Sequence, residues 1–165
     1  MFKTKRGADG KVLRYKARYI IKGYLQKEGV NYDETFASVV KSTTYRIVLI
    51  ITAMLDLEVE QLDFITAFLN SNLTETIYIT QLEGFIDLYQ PVALWRLLKT
   101  LYGLKQSPRE WYTTLTTLLK KLGFNPTVSD PCLFINLTSK IWILAYVDDL
   151  LIISKNIEEI NRVKH

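Results

Sequence analysis

The chain has 165 residues, of which 48% are hydrophobic and 23% charged, and its net charge is +4. This length corresponds to one domain, or to a fragment of a larger one, with enough apolar side chains for a packed core. A single cysteine, Cys132, excludes an internal disulfide, and a single histidine, His165, argues against serine–histidine and multi-histidine metal chemistry. The sequence shows no signal peptide and no apolar run of membrane length, so we expect an intracellular protein that is not secreted and binds no membrane.

The charge is unevenly distributed along the chain. Residues 1–27 contain nine Lys or Arg and one acid, Asp9, whereas the remainder contains 12 basic and 16 acidic residues. A basic segment joined to an acidic one is typical of enzymes that bind a polyanion together with a metal ion. A solvated basic tail is the alternative.

The first predicted element is a strand over residues 13–22, preceded by a dozen residues that resemble a linker. Apolar and basic side chains alternate along this strand, so the period of two predicts one buried face and one cationic face. The apolar set is Leu13, Tyr15, Ala17, Tyr19 and Ile21, and the basic set is Arg14, Lys16, Arg18 and Lys22. A row of cations can bind phosphates, whereas the alternative is an edge strand protected by charge.

A helix is predicted next, over residues 43–55, with Ser42 or Thr43 as its N-cap. The apolar residues at helical spacing are Ile47, Ile50, Ile51, Met54 and Leu55. We expect this set to form the buried face of the helix.

Short strands are predicted in the middle of the chain. Residues 57–64 form the first strand, which ends near Asp63 and leads into a turn or helix at 66–69. Further short strands are expected at 77–79 and 95–98.

The helix with the clearest signals covers residues 107–123. Ser107 to Glu110 has the pattern of a capping box with Pro108 in the first turn, and Gly123 provides the stop. The apolar face is expected to contain Trp111, Leu115, Leu118, Leu119 and Leu122. The preceding loop contains Gly and Lys, and the helix N-terminus could receive an anion.

Strands are predicted again at 132–136, 141–146 and 150–154, the last two joined as a hairpin by a turn at 147–149. The order of strands and helices along the chain indicates an α+β fold, with an antiparallel sheet and packed helices.

Two adjacent carboxylates, Asp148 and Asp149, lie at this turn between two apolar runs. Such a pair is costly in apolar surroundings unless a cation compensates the charge. Neighbours on a straight strand point to opposite faces, so a tight turn is needed to direct both at one ion. Asp63 is the candidate third carboxylate, and oxygen ligands in this number suit two Mg²⁺ or Mn²⁺ ions. A turn with solvated acids is the alternative.

Six segments, taken in order, form a recognisable series. They are YKARYIIKGY at 15–24, YDETF at 32–36, QLDFITAFLN at 61–70, LYGLKQSPREWY at 101–112, SDPCL at 129–133 and YVDDLLIIS at 146–154. The series spans roughly residues 12–156 and resembles the reverse transcriptase domain of copia-type retrotransposon polyproteins.

The resemblance implies a right-hand polymerase fold. About 1–50 would be fingers-like and about 51–165 palm-like with an interleaved fingers segment, while the thumb and RNase H would be absent. The implied activity is RNA-directed DNA polymerisation, a two-metal nucleotidyl transfer to a primer 3′-hydroxyl. The implied partners are an RNA or DNA template with primer, deoxynucleoside triphosphates, and the rest of a Gag-Pol-type polyprotein. The implied setting is a cytoplasmic virus-like particle or the nucleus.

The resemblance also implies roles for particular residues. Asp63, Asp148 and Asp149 would be the catalytic metal ligands, with Asp148 the better candidate for direct coordination. Phe68 would lie under the incoming sugar and exclude a 2′-hydroxyl; the alternative is an ordinary core phenylalanine. The other implied nucleotide contacts are Lys16, Arg18, Lys22, Tyr102, Lys105 and Gln106, and the implied primer or template contacts are Tyr146, Gly103 and Ser107.

Two other interpretations remain open. The chain could be a truncated, inactive retroelement remnant that at most binds nucleic acid. It could instead be a small α+β interaction domain whose acids only cap a hairpin.

Overall fold

A computed structural model describes residues 1–164, in which α and β elements form antiparallel sheets and three α-helices. His165 lies outside the described residues. The strands are β1 (Phe2–Arg6), β2 (Val12–Ala17), β3 (Glu58–Asp63), β4 (Tyr78–Thr80), β5 (Leu94–Arg96), β6 (Asn125–Pro126), β7 (Leu133–Asn136), β8 (Ile141–Tyr146) and β9 (Asp149–Ser154). The helices are α1 (Ser42–Met54), α2 (Ser107–Lys121) and α3 (Ile157–Lys164). Of these described helices, none is long and apolar enough to cross a membrane.

The chain divides into two units. The first contains Met1–Thr35 and Phe68–Glu110, and the second contains Phe36–Ala67 and Trp111–His165. The first unit has two antiparallel ribbons, β1 with β2 and β4 with β5. The second has a five-stranded antiparallel sheet in the order β3-β9-β8-β7-β6.

The strand predicted over residues 13–22 is shorter than expected, because β2 ends at Ala17. Beyond it the backbone leaves the ribbon, and the Ile21 amide donates to the Tyr102 carbonyl over 2.8 Å. The preceding dozen residues are not a linker, since they contain β1, which pairs with β2 along its length.

The prediction of one buried face on this strand was also wrong. Leu13 is 72% exposed and Tyr15 is 78% exposed. A two-stranded ribbon with no layer packed on it buries neither face, so period-two alternation alone does not report burial.

The five-stranded sheet of the second unit is covered on both faces. One face packs on a cluster that contains Val40, Val48, Cys132, Leu144 and Ile153. On the other face, the β3 and β9 strands contact α3, and Leu119 of α2 lies near Ile143 around a shared cleft. The β8–β9 hairpin, the β3 strand and α2 agree with the sequence prediction within one or two residues.

Helix α1 forms where it was predicted, but its buried face differs from the expected one. Val48 and Thr52 are buried, whereas Ile50 is 58% exposed and Met54 is 78% exposed. The Thr52 hydroxyl donates to the Val48 carbonyl over 2.8 Å, which allows this polar side chain to be buried. Because α1 is apolar on several sides, periodicity could not select the packed face.

The N-terminus of α1 is capped from a distant loop, not by Ser42 or Thr43 as predicted. Lys41 occupies the N-cap position without a side-chain cap bond. Its amide donates to Asp130 Oδ2 over 2.9 Å, and the Cys132 amide donates to Asp130 Oδ1 over 3.0 Å. The carboxylate therefore satisfies the amide at the N-cap and lies where the helix dipole favours negative charge.

This arrangement shifts the pKa of two side chains. Burial alone would raise the pKa of Asp130, but hydrogen bonds from Thr44, Lys41 and Cys132 outweigh it and hold that pKa below its usual value. Burial, together with the negative charge of Asp130, raises the pKa of the Cys132 thiol to about 11. Cys132 is therefore an inert core thiol at neutral pH.

The predicted capping box of α2 is not formed. The Ser107 hydroxyl donates to the Leu101 carbonyl over 2.6 Å, and the Glu110 amide donates to the Gln106 carbonyl over 3.0 Å. The first turn therefore starts at Gln106, one residue earlier than the box requires. Gly123, at a φ of +83°, ends the helix as predicted.

Candidate active site and nucleic-acid interface

The tip of the β8–β9 hairpin carries the acidic pair. Tyr146 pairs with Asp149 across the two-residue turn formed by Val147 and Asp148. Val147 has a φ of +56°, which is unfavourable for a β-branched residue. Backbone strain of this kind persists only where the surroundings hold it in place, and it is concentrated at functional sites.

Two donors hold the turn from outside the hairpin. The Trp111 indole Nε1 donates to the Val147 carbonyl over 2.7 Å, and the Phe64 amide donates to the Asp148 carbonyl over 2.9 Å. The Phe64 and Trp111 rings meet edge to face, with centroids 5.0 Å apart. The Trp111 indole and the Phe64 amide thus fix the two carbonyls of the turn, and their rings are in contact.

The register of β3 against β9 places Asp63 directly opposite Asp149. Directly opposed residues of an antiparallel pair project from the same face of the sheet, so these two carboxylates share a face. Gln61 lies on that face as well, and its Nε2 donates to Asp149 Oδ1 over 3.0 Å. One oxygen of Asp149 is therefore oriented by a neutral donor.

The side chains of Asp63, Asp148 and Asp149 each offer carboxylate oxygens, and these are suitable ligands for a divalent cation. The arrangement is less complete than the sequence suggested. Among residues 1–164, no three His, Cys, Asp or Glu side chains are grouped as a metal site. The electrostatic cost inferred from the sequence is also smaller, since Asp63 is exposed and Asp148 and Asp149 are only half-buried at the end of the sheet.

A cleft of about 690 Å³ opens beside Asp149 in the second unit. Tyr146 and Gln61 line it from the sheet, and Tyr45 and Arg46 line it from α1. The cleft therefore combines a carboxylate, a cation and aromatic rings. Sequence reasoning selected Tyr146 but missed Arg46, for which no local pattern gave a signal.

The first unit presents a row of cations on the β1–β2 ribbon. Lys3 lies directly opposite Lys16, and Lys5 lies directly opposite Arg14. Like charges in directly opposed positions destabilise a strand pair, so this face favours a bound anion. Sequence reasoning selected Lys16 but missed Lys3 and Lys5, although the alternation in Phe2–Arg6 was a usable signal.

Three of the predicted nucleotide contacts form one stack in the first unit. The Arg18 guanidinium lies over the Tyr102 ring at 5.4 Å from its centroid. Phe68 meets the same ring edge to face, with centroids 4.7 Å apart. Lys22 is exposed, five residues after the end of β2.

The other residues of the 101–107 loop have mainly internal partners. Lys105 Nζ donates to the Tyr32 hydroxyl over 3.0 Å. Gln106 is fully buried: its Oε1 accepts from Gln26 over 2.9 Å, and its Nε2 donates to the Asn31 carbonyl over 2.9 Å. This amide network fixes the loop against residues 26–32 and leaves neither polar atom of the Gln106 side chain without a protein partner.

Gly103, a predicted primer or template contact, has a backbone role in the same loop. Its φ is +95°, and a Cβ there would lie 2.1 Å from the Ile21 carbonyl oxygen. Only glycine allows the two backbone segments to approach this closely.

The class of the protein follows from comparison with known families. All 165 residues match the family model described as "Reverse transcriptase (RNA-dependent DNA polymerase)", and the chain therefore belongs to this reverse transcriptase family. The resemblance inferred from the six sequence segments is confirmed. No solved structure matches the chain.

Particular relatives are polyproteins of transposons. The chain is 46% identical over 159 residues to the retrovirus-related Pol polyprotein from transposon TNT 1-94 of Nicotiana tabacum, covering 94% of this chain and 12% of that protein. It is 46% identical over 154 residues to the Pol polyprotein from transposon RE1 of Arabidopsis thaliana, covering 92% and 10%. It is 33% identical over 171 residues to the Ty1-BL Gag-Pol polyprotein of Saccharomyces cerevisiae, covering 99% and 9%. The chain thus spans about a tenth of the length of these relatives.

Proposed function

We propose that this reverse transcriptase domain performs metal-dependent nucleotidyl transfer to a primer 3′-hydroxyl at the tip of the β8–β9 hairpin. The observation that carries the proposal is the register that sets Asp63 opposite Asp149, one residue from Asp148. This register places the three acidic positions at one end of adjacent strands, in a chain matched along its whole length by a polymerase family.

Asp63, Asp148 and Asp149 would hold divalent cations, two Mg²⁺ or Mn²⁺ ions in the full site. Bound in this way, such ions supply activation of the attacking hydroxyl and stabilisation of the leaving pyrophosphate. Asp148 would complete the ligand set through rotation of its side chain at the turn. Gln61 would keep Asp149 oriented through its hydrogen bond to Oδ1.

The two units are assigned different parts of a right-hand polymerase. The second unit, with its five-stranded sheet and aspartates, is assigned to the palm. The first unit, with its cationic ribbon and the Arg18–Tyr102–Phe68 stack, is assigned to the fingers. Under this proposal the first fingers segment ends near residue 35, and the interleaved segment is 68–110.

The partners proposed for the chain are a template with primer and deoxynucleoside triphosphates. The cationic face of the β1–β2 ribbon would meet phosphates, which Lys and Arg bind by charge without regard to sequence. One relative is named a Gag-Pol polyprotein, and a Gag-Pol-type polyprotein is the setting proposed for this chain. A virus-like particle or the nucleus is the proposed compartment.

Primer extension by the purified chain tests the proposal. An RNA template with an annealed DNA primer, deoxynucleoside triphosphates and Mg²⁺ or Mn²⁺ should give divalent-dependent elongation of the primer. Binding of the template without elongation, under both ions, would instead favour the inactive remnant. A chain that neither binds nor extends would favour the small interaction domain.

Removing charge from the cationic ribbon should weaken nucleic-acid binding. The variant Lys3→Gln with Lys5→Gln removes two phosphate partners. The slope of the logarithm of the single-stranded RNA binding constant against the logarithm of the salt concentration should therefore fall in magnitude by about 1.4, at roughly 0.7 per contact. The matched control is Lys120→Gln with Lys121→Gln, which removes the same charge from exposed positions of α2. Equal effects of the two variants on the slope would contradict a phosphate-binding role for the ribbon.

Phe68 is proposed to select deoxynucleotides through its ring, which Tyr102 supports from the side. Phe68→Ala should reduce discrimination against ribonucleotides by roughly 10- to 100-fold, since a removed ring no longer excludes a hydroxyl. The readout is the ratio of kcat/KM values for a deoxynucleotide and its ribonucleotide. Phe85→Ala is the control, because Phe85 is 70% exposed in the same unit. Unchanged discrimination in Phe68→Ala would leave Phe68 as an ordinary core residue.

A further inference from the structure

Trp111 makes a contact that its place in the core does not require. It lies on α2 and is only 3% exposed, so packing alone would account for its ring. Its single polar atom, however, is directed at the hairpin tip and donates to the Val147 carbonyl over 2.7 Å. A buried indole N–H needs a partner, and here that partner belongs to the residue just before Asp148.

The carbonyl that Trp111 contacts belongs to a residue in a strained conformation, since Val147 adopts a φ of +56°. Rotation about the Cα–C bond of Val147 would turn this carbonyl away from its donor and would change the direction of the Cα–Cβ bond of Asp148. The hydrogen bond from Trp111 opposes it, because the carbonyl would lose a short, buried partner.

Phe64 adds a second hydrogen bond to the turn. Its amide donates to the next carbonyl, that of Asp148, and its ring meets the ring of Trp111 edge to face. Phe64 directly follows Asp63, so one aromatic pair is linked to the end of β3 and to the turn of the hairpin. Trp111 thus supplies a side-chain hydrogen bond to the backbone of this turn.

The geometry points to Trp111 as a positioning residue, whose indole N–H fixes the Val147–Asp148 peptide and thereby aims the Asp148 carboxylate at a divalent cation. This inference rests on the proposed function, since it takes Asp148 as a metal ligand. It assigns Trp111 no contact with substrate or metal.

The first test measures divalent-cation binding without catalysis. Mn²⁺ is titrated into the 165-residue chain, and free Mn²⁺ is followed by electron paramagnetic resonance. Trp111→Phe keeps an aromatic ring but removes the donor, and we expect its Mn²⁺ affinity to fall roughly 3- to 10-fold, the factor expected for one buried hydrogen bond. Trp142→Phe is the matched control, since Trp142 lies in the same unit on β8, and its affinity should stay within about twofold of the unmodified chain.

A second replacement covers the case in which Trp111→Phe folds poorly. Incorporation of 3-benzothienylalanine at position 111 keeps the size and shape of the indole and replaces N–H by sulfur. Thermal unfolding should be close to that of the unmodified chain, while Mn²⁺ affinity falls as in Trp111→Phe. Full affinity in this isostere would overturn the inference.

Nuclear magnetic resonance gives a signature that a purely structural tryptophan would not show. The Trp111 indole proton should exchange slowly with solvent and should shift when Mg²⁺ is added, whereas the indole signals of Trp95 and Trp142 should not shift. In Asp148→Asn the Mg²⁺-dependent shift should disappear.

The outcomes separate this inference from the proposed function. If Asp148→Asn weakens Mn²⁺ binding but both Trp111 replacements leave it unchanged, the positioning role is overturned and the metal site stands. If the unmodified chain binds no Mn²⁺, or Asp148→Asn does not weaken binding, the proposed site fails and the inference fails with it.

Discussion

Asp148→Asn is expected to abolish primer extension, with a loss of roughly 10³-fold or more, the scale observed when one member of a cooperating catalytic group is removed. The substitution keeps the size of the side chain and the backbone donors around the turn. It removes the negative charge that a divalent cation requires of its ligand. The measurement is the steady-state rate of primer elongation with Mg²⁺ and, separately, with Mn²⁺.

The matched control for this prediction is Asp56→Asn. Asp56 is an exposed aspartate of the same unit that follows α1, and its loss should leave the elongation rate unchanged. Elongation by Asp148→Asn at the rate of the control would remove Asp148 from the site and, with it, the assignment of the hairpin as the catalytic element.

Asp130→Asn is expected to be the most destabilising of the substitutions considered, lowering the free energy of unfolding by roughly 2–4 kcal/mol. The carboxylate is fully buried and accepts from the Lys41 amide at the N-cap of α1 and from the Cys132 amide before β7. An amide side chain would direct an NH₂ group at one of these donors and would lose the attraction to the helix dipole. Urea unfolding at pH 7 measures the difference, with Asp33→Asn as an exposed control expected to have little effect.

The pH dependence of this stabilisation has a definite sign. The folded-state pKa of Asp130 is below the unfolded value, so its contribution is fully present above the unfolded pKa and is lost as the pH falls through the folded pKa. The difference in unfolding free energy between the natural chain and Asp130→Asn should therefore shrink only in acid. A difference that stayed constant down to the acid limit would show that the charge of Asp130 does not stabilise the fold.

Local sequence signals were sufficient to predict the elements that have clear start and stop residues. Helix α2 was predictable from its apolar spacing, its early proline and the glycine at its end, and the β8–β9 hairpin from two apolar runs around a short turn. Helix α3 was missed although a signal was present, since the Asn156 side chain accepts from the Glu158 amide as an N-cap would. The two-residue β6 strand had no such signal.

The site could be predicted only in part, for a physical reason. Adjacent acids in a hairpin are visible in the sequence, but the pairing of Asp63 with Asp149 depends on the register of strands distant along the chain. Three other hydrogen bonds likewise join residues 36 to 89 positions apart. They are the bonds from Lys41 to Asp130, from Gln106 to Asn31 and from Trp111 to Val147. Periodicity and capping rules describe residues that are close in sequence, so they cannot predict contacts between residues this far apart.

We propose that Asp63, Asp148 and Asp149 together form the divalent-cation site of a nucleotidyl transferase. Crystals of the chain soaked in Mn²⁺ with a deoxynucleoside triphosphate would test it most directly, through the anomalous scattering of manganese. We expect an anomalous peak within coordination distance, about 2.0–2.4 Å, of oxygens from Asp63 and from the Asp148–Asp149 pair. Nucleotide-bound manganese at any other position, with these carboxylates free of metal, would contradict it.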